Sequence, residues 1–136
     1  ETVRYCASAI VDLAAHARTE PGGVDIEAFE AEVLARIGAP ADAGVNHRLA
    51  HFQHLFSGQY YAAGYYVYLW AEVLEADGWD AFVEAGNAFD PAVAERLARY
   101  IYAAGNSLEP GAAFRAFRGR EPTVEPMLRK RGLVDA

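Results

Sequence analysis

The chain has 136 residues, a formal net charge of −7 and a single cysteine, and 53% of its residues are hydrophobic. This length fits one domain with its own core, while no uncharged apolar run approaches the ~20 residues that would span a bilayer. The negative charge argues against a nucleic-acid partner. The N-terminus lacks the basic start of a signal peptide, and a lone cysteine cannot form an internal disulfide. Both features favour a cytoplasmic protein.

Two amphipathic helices are predicted in the N-terminal part of the chain. Apolar residues recur at steps of three and four over residues 3–17, which is typical of a half-buried helix. A turn-rich segment follows, and Asp25 can then cap a second helix whose apolar stripe ends before Gly38. A short helical turn is predicted over residues 48–56.

The longest helical pattern runs over residues 60–85, with a bend near Gly78. Residues 90–105 form the next predicted helix, which an Asp-Pro pair opens and a glycine closes. Two shorter helices are predicted over residues 110–119 and 123–131, the last with cations in its final turn and Gly132 closing it. Because no stretch alternates with a period of two for long enough to form a strand, the sequence predicts an all-α fold.

Three histidines, His47, His51 and His54, are spaced four and three residues apart. If this stretch were one helix, the three rings would share a face, and imidazoles at this spacing can ligate zinc. A small metalloprotein is therefore one hypothesis. The alternative is a partly buried linker whose histidines have unrelated roles, which fits the lack of a nearby cysteine and of a carboxylate between them.

Tyr61, Tyr65 and Tyr68 occupy positions i, i+4 and i+7 of the longest predicted helix, which would place them on one face. Gly64 lies among them and costs about 1 kcal/mol in a helix interior relative to alanine, which suggests a close approach to the backbone there. One interpretation is an aromatic core stripe that Trp70 continues. The other is the wall of a wet cleft, in which the phenol hydroxyls find the partners they need.

Residues 51–73 read HFQHLFSGQYYAAGYYVYLWAEV, and this segment resembles the C-terminal signature of the thimet oligopeptidase and peptidyl-dipeptidase family. The resemblance continues through residues 89–90, 104–107, 114–122 and 128–133, so it extends over the whole chain. The bacterial peptidyl-dipeptidases look closer than the animal oligopeptidases. The resemblance implies a zinc metallopeptidase with an almost wholly helical fold and a deep substrate channel.

The resemblance also implies roles for individual residues. His54 corresponds to a histidine that helps to bind the substrate and to stabilise the transition state. Tyr61 and Tyr65 correspond to tyrosines that line the channel and contact the substrate, and Tyr68 to the tyrosine whose hydroxyl faces the reacting carbonyl. One departure is Tyr60, which stands where relatives carry glycine.

In this family, zinc is held by two histidines of an HExxH helix and by a glutamate of a following helix, and this sequence contains no HExxH. We therefore expect residues 1–136 to be the C-terminal subdomain of a longer, compact multi-helix peptidase that hydrolyses short peptides. Alone, the subdomain should be inactive and bind no zinc. It should self-associate through the apolar face that meets the upstream zinc-binding portion of the same chain. The alternative is a non-catalytic helical module that binds a peptide or a partner helix through its tyrosine face.

Overall fold

The computed structural model describes residues 1–20, 22–40 and 42–135. All regular secondary structure in these residues is helical, which confirms the predicted all-α fold class. The α-helices are Thr2–His16 (α1), Ile26–Arg36 (α2), Gln53–Phe56 (α3), Val67–Glu84 (α4), Pro91–Leu97 (α5), Pro110–Arg118 (α6) and Glu125–Lys130 (α7). A 3₁₀ turn at Leu49–His51 precedes α3, and a π-helical turn at Ala98–Tyr102 continues α5. None of the helices in the described ranges combines the length and the apolar character that a bilayer-spanning segment needs.

Capping residues set several helix ends where the sequence predicts them. The Asp25 carboxylate accepts a hydrogen bond from Ala28 N at 3.0 Å at the start of α2. The Asp90 carboxylate begins α5 in the same way and accepts from Val93 N at 2.9 Å. After α6, Gly119 has φ 78°, a left-handed conformation that glycine adopts without a Cβ penalty. These ends are determined by local chemistry.

The long helix predicted from residue 60 begins instead at Val67, so the prediction that Tyr61 and Tyr65 lie on its face is wrong. Residues 58–66 form successive turns and no regular helix. Two backbone amides of this segment donate to the buried Asp12 carboxylate at 3.1 and 2.9 Å. An acceptor from another helix thereby replaces the helical carbonyls, and tertiary structure overrides the local periodicity.

The helical turn predicted over residues 48–56 is divided in two. Phe52, with ψ 61°, separates the 3₁₀ turn from α3. His47 precedes the 3₁₀ turn, His51 ends it, and His54 lies in α3. The three histidines therefore do not lie on one helix face.

Contacts divide the chain into two compact units, Glu1–Tyr68 and Leu69–Ala136. In the first unit, α1, α2, the 3₁₀ turn and α3 contribute to one core, whose buried members are Ala7, Val11, Val33, Val45, Leu49, Phe52 and Leu55. Phe52 and Leu55 are only 3% and 1% exposed. Because these two side chains are turned into the core, His54 between them is left exposed.

In the second unit, the fully buried Asp77 of α4 connects distant parts of the chain. Its carboxylate accepts from Arg118 Nε at 2.9 Å, from Arg120 at 2.7 Å and from Thr123 N at 2.7 Å. Burial alone would raise the pKa of Asp77, but the hydrogen bonds from Arg120, Thr123 and Arg118 outweigh it, so the pKa lies below its usual value. Asp77 thereby ties α4 to the end of α6 and the segment that follows.

The predicted cations at the end of α7 are paired with acids of α4. The pairs are Arg129–Asp80 at 2.5 Å, Lys130–Glu75 at 2.6 Å and Arg131–Glu72. All three acids belong to α4, so the cations at the end of α7 are engaged within the second unit.

Candidate functional site

His54, Tyr61, Tyr65 and Tyr68 come together at one surface of the first unit. The Tyr68 hydroxyl lies 3.0 Å from His54 Nε2, within hydrogen-bonding distance. The His54 ring is 4.6 Å from the Tyr61 ring and 6.1 Å from the Tyr65 ring, measured between centroids, and both contacts are edge-to-face. The Tyr65 and Tyr68 rings are 5.7 Å apart. The predicted tyrosines therefore share a surface although only Tyr68 lies in a helix.

This cluster is open to solvent. Tyr61 is 46% exposed and Tyr68 is 49% exposed, and His54 is exposed as well. A cavity of about 440 Å³ lies at the same surface, and its lining includes Tyr5, His47, His51, His54, Tyr65 and Tyr68. The exposure favours the interpretation of the tyrosines as a cleft wall over that of a core stripe.

Tyr65 is the half-buried member of the cluster, and neighbouring rings hold it on two sides. Tyr5 of α1 stacks on it with centroids 5.0 Å apart, and Phe52 packs edge-to-face at 4.8 Å. The Tyr5 hydroxyl also donates a hydrogen bond to the Tyr65 carbonyl oxygen. Tyr5 thus fixes the backbone and the ring of Tyr65, and Phe52 of the core fixes the ring.

Asp12 of α1 holds the turns that carry Tyr61 and Tyr65, and the sequence prediction did not include it. One carboxylate oxygen accepts from Ala63 N at 3.1 Å, and the other accepts from Tyr65 N at 2.9 Å. His16 Nδ1 lies 2.8 Å from the first oxygen. Since a buried charge without partners is strongly unfavourable, Asp12 at 0% exposure depends on these donors. Its only signal in the sequence is a carboxylate on an apolar helix face, one helical turn before a histidine.

The turn that Asp12 holds has a strained backbone. Ala63 is the one non-glycine residue with positive φ among the described residues, at 56°. This left-handed conformation costs roughly 1–2 kcal/mol for a residue with a Cβ. At the next position, a Cβ on Gly64 would lie 3.2 Å from the Tyr61 carbonyl oxygen. The close approach that the sequence suggested at Gly64 is therefore made by the turn itself.

A second buried carboxylate, Glu30 of α2, holds the segment that leads to His54. It is 3% exposed, and it accepts from Arg48 Nε at 2.5 Å and from the backbone amide of Leu49. Leu49 begins the 3₁₀ turn that precedes α3. The two segments of the site are thus each attached to the core through one buried acid.

The histidines do not form a metal site. In residues 1–20, 22–40 and 42–135, no group of three or more His, Cys, Asp or Glu side chains could hold a metal ion. His47 instead packs against Phe52, with ring centroids 5.0 Å apart. The small-metalloprotein hypothesis has no support here. The side chains of the described residues do not offer a set of ligands that fits a zinc ion. We therefore assign no zinc-dependent step to them.

What the cluster can supply is hydrogen-bond donors. A neutral imidazole carries one N–H, and a phenol is both a donor and an acceptor. If His54 donates from Nε2 to the Tyr68 oxygen, the Tyr68 hydroxyl proton is free to point at a ligand oxygen. Both side chains lie on helical segments, so little reorganisation is needed for them to donate to a ligand oxygen.

Comparison with known proteins places the chain in a family. The model of Peptidase family M3 matches residues 1–133. Probable cytosolic oligopeptidase A of Arabidopsis thaliana is 40% identical over 139 residues, which cover 99% of this chain and 20% of that protein. Oligopeptidase A of Haemophilus influenzae is 46% identical over 84 residues, 62% of this chain and 12% of that protein. Dipeptidyl carboxypeptidase of Escherichia coli is 35% identical over 135 residues, 98% of this chain and 20% of that protein.

The chain spans about a fifth, or less, of the length of these relatives. The family match nevertheless extends over nearly all of its residues, including every residue of the His54 and tyrosine cluster. The chain therefore belongs to peptidase family M3.

Proposed function

We propose that this chain is the C-terminal part of a longer M3 peptidase that hydrolyses short peptides. In this proposal His54, Tyr61, Tyr65 and Tyr68 form the substrate-facing wall opposite the catalytic metal. The family match and the relatives named oligopeptidase A and dipeptidyl carboxypeptidase support it. The observation that carries it is the 3.0 Å contact between the Tyr68 hydroxyl and His54 Nε2 in an exposed cluster.

Tyr68 is the proposed donor to the oxyanion. Attack on a peptide carbonyl develops negative charge on the carbonyl oxygen, and preorganised donors at that oxygen lower the barrier. His54 donates from Nε2 to the Tyr68 oxygen, which orients the hydroxyl proton away from His54 and toward the substrate. Since the described residues hold no metal-binding group, we assign activation of the attacking water to the portion of the enzyme outside this chain.

Tyr61 and Tyr65 are the proposed substrate contacts. The half-exposed Tyr61 ring and the edge of the fixed Tyr65 ring offer apolar surface with a polar tip, which suits a peptide of mixed side chains. The adjoining cavity of about 440 Å³ lies within the range of small-ligand sites. We also propose a cytoplasmic location, which the single cysteine and the name of the Arabidopsis relative support.

The test is Tyr68→Phe in the complete enzyme that contains this chain. Removing one oxyanion donor typically costs on the order of a hundredfold in turnover. We expect kcat to fall by about that factor with KM changed no more than a few-fold, which marks a contact made only in the transition state. Steady-state hydrolysis of a short fluorogenic peptide measures both constants.

Tyr66→Phe is the matched control, because Tyr66 precedes the same helix, is 51% exposed and has no part in the cluster. It should leave both constants nearly unchanged. An increase in KM alone for Tyr68→Phe, or equal effects of the two variants, would show that the tyrosines only bind or pack. That result would favour the non-catalytic peptide-binding module.

A further inference from the structure

We propose that Asp12 is a positioning residue for this site, which holds the turn at residues 61–65 so that the tyrosines meet His54. The inference rests on the proposed function, because it gives Asp12 an effect on turnover that acts through Tyr68. Asp12 itself is 0% exposed, so it acts on the cluster through the backbone amides that it accepts.

The Asp12 carboxylate binds the turn through both of its oxygens. Its two oxygens accept from the amides of Ala63 and Tyr65, at 3.1 and 2.9 Å, so one side chain fixes alternate residues of a single turn. Ala63 stands between Tyr61 and Tyr65 with φ 56°, a conformation that its own Cβ disfavours. The hydrogen bond to Asp12 stabilises the chain in that conformation, together with the bond from Gly64 N to the Tyr61 carbonyl at 3.1 Å.

The turn is continuous with the helix that carries Tyr68. The Gly64 carbonyl accepts from Val67 N at 3.1 Å, and Val67 is the first residue of α4. Tyr68 follows directly. The orientation of the turn therefore sets where α4 begins and where the Tyr68 hydroxyl lies relative to His54.

Holding the turn in this way requires a carboxylate. An ionised Asp presents acceptors on both oxygens, whereas the Asn amide offers one acceptor and one donor group. In Asp12→Asn one of the two amides would face the side-chain NH₂ and lose its partner. His16 Nδ1 lies 2.8 Å from Asp12 Oδ1. With the proton on Nδ1, the imidazole donates to the carboxylate and orients it from the side.

The experiment measures kcat and KM of Asp12→Asn in the complete enzyme, per folded molecule as determined by circular dichroism. A displacement of about 1 Å at a reacting group can cost on the order of a hundredfold in rate. We expect kcat to fall by roughly tenfold to a hundredfold. KM should rise a few-fold, because Tyr61 and Tyr65 move with the turn.

The matched control is Asp77→Asn, the same substitution at a carboxylate that is also 0% exposed and also accepts a backbone amide, but in the second unit. It should lower stability while kcat per folded molecule stays near that of the wild type. A kcat loss confined to Asp12→Asn separates positioning from a general cost of disturbing a buried acid.

Rescue gives a readout that a merely structural role would not produce. Glycine adopts positive φ without a Cβ penalty, so Ala63→Gly makes the turn less dependent on Asp12. The double variant Asp12→Asn/Ala63→Gly should therefore recover several-fold in kcat over Asp12→Asn. If Asp12→Asn does not fold, His16→Ala leaves the carboxylate in place and should lower kcat a few-fold by loosening its orientation.

Three results would overturn the inference. The first is a wild-type kcat in Asp12→Asn, and the second is a double variant that does not recover. The third, if Asp12→Asn does not fold, is a wild-type kcat in His16→Ala. The Tyr68→Phe measurement distinguishes failure of the positioning role of Asp12 from failure of the proposed oxyanion role of Tyr68. If Tyr68→Phe lowers kcat and Asp12→Asn does not, only the positioning role is wrong. If Tyr68→Phe leaves kcat unchanged, both fail.

Discussion

The exposed side chains of the site depend on two buried acids. Asp12 and Glu30 are 0% and 3% exposed, and each accepts backbone amides of a segment that carries site residues. Removing one partner of such a buried hydrogen bond costs about 1–3 kcal/mol, because the other partner is left unsatisfied. Substitutions beneath the surface should therefore disturb the site as much as substitutions at the surface itself.

Among single-residue substitutions in the site, His54→Gln should retain more activity than His54→Ala. A glutamine amide can place an N–H near the position of His54 Nε2 and so keep the hydrogen bond to Tyr68, whereas alanine removes the donor and the ring that packs on Tyr61. We expect kcat to fall by less than about tenfold for glutamine and by about a hundredfold for alanine. Only alanine should raise KM. Steady-state kinetics of the complete enzyme would show this order, and equal losses would contradict the hydrogen-bonding role.

At the level of secondary-structure elements, α4 and α6 are joined by ion pairs of Arg118 with Asp77 and Glu84. Arg118 at the end of α6 is only 3% exposed, and its pKa is raised, first by the hydrogen bond to Glu84 and then by Asp77. Glu84 has a lowered pKa because Arg118 donates to it, but at 58% exposure solvent screens most of that effect. Of these two carboxylates, the buried Asp77 therefore contributes more to the dependence of stability on pH than Glu84 does.

The stability of the protein should decrease in acid because of Asp77. Its folded pKa is below its unfolded value, so between the two values the unfolded state binds more protons. The contribution is complete above the unfolded pKa, about 3.9, and is lost as the pH falls through the folded pKa.

The variant Asp77→Asn should be less stable by about 1–3 kcal/mol at neutral pH, because the asparagine NH₂ group cannot accept the hydrogen bonds that one carboxylate oxygen of Asp77 accepts, while Arg118 keeps its pair with Glu84. Its free energy of unfolding should also change less in acid than that of the wild type. Urea unfolding at several pH values, followed by circular dichroism, measures both effects. Parallel pH profiles for the two proteins would show that Asp77 is not the titrating group.

For the molecule as a whole, the second unit carries large apolar side chains that solvent reaches. Trp70 and Trp79 are each 52% exposed, Tyr102 is 73% exposed and Phe89 is 88% exposed. An apolar cavity of about 670 Å³ lies in the same unit, with Trp70 and Trp79 in its lining. Exposed apolar surface on this scale is typical of a face that another protein surface covers.

We therefore expect the 136-residue chain to self-associate. Sedimentation velocity over a range of concentrations should show a shift toward larger species. Trp79→Ser should weaken the association, because it removes exposed apolar surface beside the cavity. Tyr60→Ser is the control, since Tyr60 is 89% exposed but lies in the first unit. A monomer at every concentration, or equal effects of the two substitutions, would refute this prediction.

The sequence by itself determined the helices whose ends depend on local chemistry. The carboxylates of Asp25 and Asp90 accept hydrogen bonds from backbone amides only two or three residues away in the sequence. Because these contacts are local, α2 and α5 begin where the sequence predicts. The same holds for Gly119 at the end of α6. The all-α class and the family follow from such short-range patterns and from the residues of the signature segment.

Only the tertiary structure decided how the site is built. Tyr61 and Tyr65 have helical spacing, yet the Tyr65 amide donates to an acid 53 positions away in the sequence, and the helix begins after them. Similarly, Glu30 accepts from Leu49, 19 positions away, at the start of the segment that ends in His54. A periodic pattern records which side chains can share a helix face but not which distant acceptor will take the backbone amides. Where a buried carboxylate offers a charged acceptor, it can outcompete the helical carbonyls, and that competition is settled only when the chain has packed.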